Sequence, residues 1–154
     1  MENSAYATPK SDVTIVKVKT ASSVKAVIYG ALIDTVGSFV LGVLLYICYS
    51  IYLSQHGITQ AEILKTITAA GLYSPFGILS SSLGLLVSLL AGYTCAAYSI
   101  KNIFRDTSTI CTSSIVFGYF LSSDTYTWQQ FVVLALLSVA FTFLGAGYWR
   151  VKNL

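Results

Sequence analysis

Most of this chain consists of apolar runs that are long enough to cross a lipid bilayer. A hydrocarbon core of about 30 Å needs a helix of roughly 20 mostly apolar residues. Only 10% of the residues are charged, against about 25% in typical soluble domains. The chain therefore lacks the polar groups needed to cover a surface that faces water. We expect an all-α integral membrane protein in contact with the lipid bilayer.

The apolar runs predict a bundle of four transmembrane helices, with spans near residues 24–53, 74–98, 107–123 and 128–149. They form one domain over residues 24–152, preceded by a polar cytoplasmic tail over residues 1–23. The third run is short and contains Thr112, Ser113 and Ser114. A re-entrant segment is the alternative interpretation of that run.

The distribution of basic residues predicts that both chain ends face the cytoplasm. Lys and Arg are enriched in the short cytoplasmic segments of membrane proteins. With four spans the outer side holds only Lys65, whereas the inner side holds Lys10, Lys17, Lys19, Lys25, Lys101, Arg105, Arg150 and Lys152. If the third run did not cross, Arg150 and Lys152 would move to the outer side. The charges thus favour four crossings and a location in the cell membrane.

The connection between the first two spans, residues 54–72, has a helical pattern of its own. Thr59 and Glu62 have the spacing of a capping box, in which the side chain of each residue accepts a hydrogen bond from the backbone N–H of the other. Ile63 and Ile67 then fall on one face of the following helix. We expect a short amphipathic helix that lies on the outer membrane surface or against the bundle. Similar start signals precede the second and fourth spans, namely Ser74 with Pro75, and Thr127 with Gln130.

Small residues recur every fourth position in the first two spans, which places them along one face of each helix. The first stripe consists of Ala26, Gly30, Asp34, Ser38 and Gly42. The second consists of Ser80, Gly84, Ser88, Gly92 and Ala96. Small residues allow helices in lipid to approach closely. We expect the stripes to pack the four helices together, and the alternative is that one stripe receives a partner protein or a second copy.

Asp34 is the ionisable residue predicted to lie well inside a span. An Asp at the centre of a transmembrane helix costs roughly 2.5 to 3.5 kcal/mol on insertion scales. Such residues usually face the bundle interior and mark ion or proton pathways. We expect burial to favour a neutral, hydrogen-bonding carboxyl. A structural role is open, either as a protonated carboxyl bonded to a Ser of the second span or paired with a Lys near the cytoplasmic surface. A role in proton or ion movement is the alternative.

The remaining reactive residues give no support for catalysis, a metal site or a cofactor. Cys48, Cys95 and Cys111 lack the spacing of metal ligands, and His56 is alone on the outer connection. There is no Ser-His-Asp set and no glycine-rich phosphate loop. Basic residues interleaved with aromatics, which would suggest nucleic acid, are absent as well.

Two functions are consistent with these features. The first is a non-catalytic membrane protein that acts through helix or outer-loop contacts, as an accessory subunit, inhibitor or immunity-type binder. Its partners would be the bilayer and a second membrane protein, or further copies of itself. The alternative is a proton-coupled small-solute transporter or channel in which Asp34 takes up the proton.

Overall fold

The structure is a computed structural model that describes residues 22–99, 102–122 and 126–153. Most of the predicted tail lies outside these residues. The described chain contains five α-helices and no strand: α1 (Ser23–Gln55), α2 (Gln60–Thr68), α3 (Pro75–Tyr98), α4 (Ile103–Ser122) and α5 (Trp128–Lys152).

Three of these helices, α1, α3 and α5, are long and apolar enough to cross a membrane. The described residues are therefore all-α, as expected, and include three candidate membrane-spanning helices. The fourth long helix, α4, has 20 residues, which corresponds to about 30 Å at 1.5 Å per residue. It is less apolar than the other three and is not among the candidate spans found by composition.

Ring contacts establish that α1 and α3 run antiparallel. Tyr29 and Tyr98 lie 4.9 Å apart at one end of the pair, and Tyr49 and Phe76 lie 5.2 Å apart at the other. The end where α1 begins is called here the N-terminal end, and the opposite one, where α2 lies, the α2 end. Among the described elements, α3 and α5 form the most extensive helix contact, and α1 and α3 form the second most extensive.

The other two long helices complete the bundle. On α4, Ile110 and Ser114 lie against Gly30 and Asp34 of α1, so α4 runs parallel to α1. The ring of Phe104 at the start of α4 lies 5.3 Å from Phe143 near the end of α5. Hence α5 runs back beside α3, and it ends at the N-terminal end of the bundle.

Many of the buried positions of the bundle hold small or polar residues, whereas most of its large apolar side chains are exposed. Its buried positions include Asp34, Ser88, Ala91 and Thr107. By contrast, the exposed fractions of three large side chains on separate helices are high: 72% for Phe39, 75% for Phe120 and 66% for Leu136. Large apolar patches are rare on soluble monomers, and lipid removes the need to bury them. The distribution agrees with a chain that is surrounded by acyl chains.

Backbones approach most closely where glycines face a neighbouring helix. A Cβ atom on Gly92 of α3 would collide with the Thr142 carbonyl of α5, and one on Gly145 of α5 would collide with the Leu89 carbonyl of α3. The two glycines, one on each helix, therefore allow the backbones of α3 and α5 to touch. The small-residue spacing predicted Gly92 for this purpose but did not single out Gly145.

The predicted helix starts agree with the structure. Thr59 and Glu62 form the capping box of α2, with the Thr59 backbone N–H donating to Glu62 Oε2 at 3.1 Å. The bonds from Thr59 lower the pKa of the Glu62 carboxyl. Ser74 accepts from the Gly77 N–H at 3.0 Å at the start of α3. Thr127 and Gln130 form a second capping box before α5.

Two helix limits differ from the predicted spans. The helix corresponding to the third run begins at Ile103 rather than near Thr107, and it includes Asp106 in its first turn. A carboxylate is stabilised there by the positive end of the helix dipole. The last helix continues past Trp149 to Lys152. Arg150 and Lys152 in its last turn are stabilised by the negative end of the helix dipole. Hydropathy does not indicate this extension, because both residues are charged.

The glycine contacts predict opposite effects for two alanine substitutions on α3. Gly92→Ala pushes a methyl group into the α5 backbone and should lower the free energy of unfolding by roughly 1–3 kcal/mol, the range for overpacking. Gly84→Ala places its methyl group where no atom lies within 4 Å, so stability should stay unchanged or rise. Both values can be measured by SDS titration of the protein in mixed micelles. Equal losses in the two variants would contradict the close α3–α5 contact.

Candidate functional site

Asp34 lies at the point where all four long helices meet. Its side chain is 8% exposed. One carboxyl oxygen, Oδ1, accepts a hydrogen bond from Ser88 of α3 at 3.0 Å. The other, Oδ2, accepts one from Ser114 of α4. Ser88 is in turn 2.9 Å from the hydroxyl of Ser138 on α5.

The directions of these bonds follow from the number of hydrogens available. A serine hydroxyl has one hydrogen to donate and two lone pairs that accept. Because Ser88 gives its hydrogen to Asp34, the bond between Ser88 and Ser138 must be donated by Ser138. Hydrogen donation therefore runs from Ser138 to Ser88 to Asp34, with Ser114 donating to the carboxyl independently. We call these four residues the Asp34 network.

A cavity of about 300 Å³ extends from the Asp34 network towards the α2 end. It is lined by hydroxyl groups from every long helix: Ser38, Ser80, Ser81, Ser88, Ser114 and Ser138. The Ser81 Oγ atom is buried and has no hydrogen-bond partner within the described part of the chain. Apolar residues complete the wall, namely Leu85, Ile115, Phe131, Leu134 and Ala135. The cavity thus combines an oxygen-rich floor with a largely apolar wall.

Tyr126, which directly precedes the N-cap of α5, lines the far part of the cavity. Burial raises the pKa of its phenol, so the hydroxyl remains protonated at neutral pH. Ser138, at the floor, lies ten residues beyond Trp128 along α5, or about 15 Å at the helical rise. A solute at Asp34 would therefore lie roughly half a bilayer thickness from this end of the helix.

The bundle is closely packed between the Asp34 network and the N-terminal end. Ala26, Cys95 and Ile110 form a buried cluster there, with exposed fractions of 0%, 0% and 1%. A Cβ atom on Gly30 would collide with Ile110, which confirms that α1 and α4 are in contact at this level. The cavity therefore lies on one side of Asp34, and tightly packed side chains lie on the other.

A second buried carboxyl, Asp106, was missed by the sequence argument. It is 2% exposed and accepts a hydrogen bond at 2.6 Å from Ser99, which is the C-cap of α3. The sequence argument assigned residues 99–106 to a loop, since Lys101 and Arg105 resemble a cytoplasmic connection. The short separation of Ser99 and Asp106, seven residues, is the sequence feature that could have indicated this bond. Their bond ties the end of α3 to the first turn of α4.

The structure separates the predicted small-residue positions into two groups. Gly30, Ser88 and Gly92 are buried at helix contacts or in the Asp34 network. The remaining positions line cavities: Ser38, Gly42, Ser80 and Gly84. No atom lies within 4 Å of a Cβ built on Gly42 or Gly84. The stripes therefore pack helices near the N-terminal end and give way to open space towards the α2 end.

The available chemistry is that of oxygen ligands and proton acceptors. In the described residues no group of three or more His, Cys, Asp or Glu side chains could hold a metal ion. The cavity wall contains no Lys, Arg or His among the described residues that line it. The site can accept a proton or a positive charge at Asp34, and its hydroxyl groups can hydrogen-bond a small polar solute.

Two serine substitutions on α3 should differ in their effects on stability. Ser88→Ala removes a donor to Asp34 and the acceptor of Ser138, so the free energy of unfolding should fall by roughly 1–2 kcal/mol. Ser82→Ala removes an exposed hydroxyl that donates only to the Ile78 carbonyl of its own helix, and should change little. SDS titration in mixed micelles measures both. A Ser88→Ala protein as stable as Ser82→Ala would argue against the Asp34 network.

Comparison with models of protein families, with curated proteins and with solved structures gives no match to this chain. The functional argument therefore depends on the geometry of the Asp34 network and of the cavity beside it.

Proposed function

We propose that the protein crosses the membrane four times, with α4 as the third span and with both chain ends in the cytoplasm. The length of α4 and its course beside α1 support this. Its hydroxyl groups lower its hydropathy, but Ser108, Thr109 and Thr112 donate to carbonyls one turn earlier in the same helix. Internal bonding of this kind lets polar side chains enter lipid without unsatisfied groups. The basic residues then lie mainly on the cytoplasmic side, and α2 lies at the outer surface.

Accessibility labelling tests the four crossings. Single cysteines are introduced as Ser4→Cys, Thr66→Cys and Asn153→Cys after Cys48, Cys95 and Cys111 are replaced by Ala. In intact cells an impermeant maleimide should label Thr66→Cys alone, and opened membranes should allow labelling of all three. Labelling of Asn153→Cys but not Ser4→Cys in intact cells would contradict four crossings, because an odd number of spans separates the chain ends.

We further propose that the protein is non-catalytic and acts as a proton-coupled small-solute transporter or channel, with Asp34 as the group that takes up the proton. The observation that carries this proposal is a buried carboxyl at the floor of a hydroxyl-lined cavity, near the middle of α3, α4 and α5. Two serines would be enough to satisfy a purely structural Asp. The additional cavity gives a solute room to reach it.

The asymmetry around Asp34 supports transport rather than passive packing. A carrier needs a central site that is reached from one side while the other side is closed. Here the cavity extends towards the proposed outer surface, and the Ala26, Cys95 and Ile110 cluster closes the proposed cytoplasmic half. This arrangement corresponds to an outward-facing state of such a carrier.

Proton flux into reconstituted vesicles tests the role of Asp34. With a potassium diffusion potential and an internal pH-sensitive dye, the wild-type protein should acidify the lumen faster than protein-free vesicles do. Asp34→Asn keeps the shape of the side chain and most of its hydrogen bonds but cannot ionise, so the rate should fall about tenfold or more, to background. Glu62→Gln is the matched control, because it makes the same change at an exposed carboxyl on α2.

Unchanged flux in Asp34→Asn would exclude Asp34 as the group that takes up the proton, and wild-type flux equal to that of empty vesicles would exclude a proton channel. Both results would favour the second candidate, binding of a second membrane protein as an accessory subunit or immunity-type binder. One observation favours that second candidate: Gly42 and Gly84 belong to small-residue stripes but face open space. A protein that co-purifies in mild detergent, together with absent flux, would support it.

A further inference from the structure

The Asp34 cavity has the charge and the ligand atoms of a site for one monovalent metal cation. We propose that an alkali cation and a proton compete for Asp34, so that the carboxyl is neutralised by one or the other. This inference rests on the proposed transport function and names the ion that would be exchanged.

Charge balance limits the occupant to a single positive charge. Asp34 is the only carboxyl among the described residues that line the cavity, and these include no Lys, Arg or His. An uncompensated charge in a low-dielectric site costs several kcal/mol. A proton or a monovalent cation leaves the site neutral, whereas a divalent cation leaves one uncompensated positive charge. Sites for divalent cations commonly recruit several carboxylates.

The ligand atoms are hard oxygens with free lone pairs. Ser88 and Ser114 direct their hydrogens to Asp34, so the oxygen of each still has lone pairs to share. Asp34 itself has lone pairs beyond the two that these bonds use. Carboxylate, hydroxyl and water oxygens are the ligands that hard cations prefer. An anion would instead need donors, and these hydroxyl hydrogens are already committed to the carboxyl.

The Ser81 hydroxyl is a further oxygen that an occupant of the cavity could bond. Its oxygen is buried, lines the same cavity as Asp34 and has no partner among the described residues. Leaving such a group unpaired costs roughly 1–3 kcal/mol. A cation, or a water bound to one, would satisfy it. A cavity of about 300 Å³ has room for a cation with several waters at about 30 Å³ each.

Competition between the two ions would couple them. A cation that enters from the α2 end displaces the proton from Asp34, and a proton that returns displaces the cation. Each exchange keeps one positive charge in the site, so the bundle interior is never left with an uncompensated carboxylate. The network needs no second acidic group for this exchange.

Cation-dependent stability of the purified full-length protein tests the inference. The protein in detergent is kept at pH 8 and constant ionic strength with choline chloride, and LiCl, NaCl or KCl replaces the choline stepwise. We expect Tm to rise and saturate with at least one alkali cation, and MgCl2 and CaCl2 to give no comparable rise. Lowering the pH should weaken the apparent affinity for the cation, because protons compete for the same carboxyl.

Three variants identify the site. Asp34→Asn should abolish the saturable rise, and Ser81→Ala should weaken the apparent affinity about tenfold, the effect of losing one ligand worth about 1.4 kcal/mol. Glu62→Gln, on α2, should behave like the wild type. Equilibrium dialysis of the wild-type protein against radioactive sodium or rubidium should give about one bound ion per chain, and this result does not depend on how any variant folds.

Each contrary outcome has one meaning. An alkali effect that persists in Asp34→Asn, or an equal effect of MgCl2, overturns the monovalent site. The absence of any cation effect, with proton flux that still depends on Asp34, also overturns it and leaves a proton as the sole occupant, so the transport function survives. Saturable cation binding without flux supports this site and removes the transport function instead.

Discussion

The hydrogen bonds around Asp34 join the four long helices at one point. Ser88, Ser114 and Ser138 come from three different helices, and each is bonded to the carboxyl directly or through one neighbour. In lipid there is no hydrophobic force to bring helices together, so packing and interhelical hydrogen bonds must do so. The network therefore fixes the level at which α1, α3, α4 and α5 cross, and the glycine contacts then determine how closely they approach.

The two ends of the bundle differ because the small residues have different roles on either side of this network. Near the N-terminal end, Gly30, Gly92 and Gly145 let neighbouring backbones or side chains touch. Towards the α2 end, Gly42 and Gly84 have no neighbour within 4 Å, and the space between the helices becomes a cavity. Glycine thus allows close packing where the helices converge, and it leaves space for the cavity where they diverge.

The fold class and the position of Asp34 could be predicted from the sequence because both depend on local patterns. Runs of apolar residues give the spans, a spacing of four gives the face, and Thr59 with Glu62 or Thr127 with Gln130 gives the helix starts. The cavity could not be predicted, since it depends on the divergence of helices that are distant in sequence. Asp106 was missed because it lies between the basic residues of a predicted connection, and Gly145 because the small residues spaced by four on the last helix are Ser138, Thr142 and Ala146.

The low hydropathy of α4 follows from its many hydroxyl groups, of which Ser114 lines the cavity and donates to Asp34. Four other hydroxyls of α4 donate to carbonyls of their own helix, as Thr109 does to Arg105, whereas Thr107 donates to Cys95 on α3. Such bonds satisfy the side chain, and they also weaken and bend helices slightly. The long helix that is not among the candidate spans is also the one that packs least extensively against the other three, whereas α3 and α5 pack most closely.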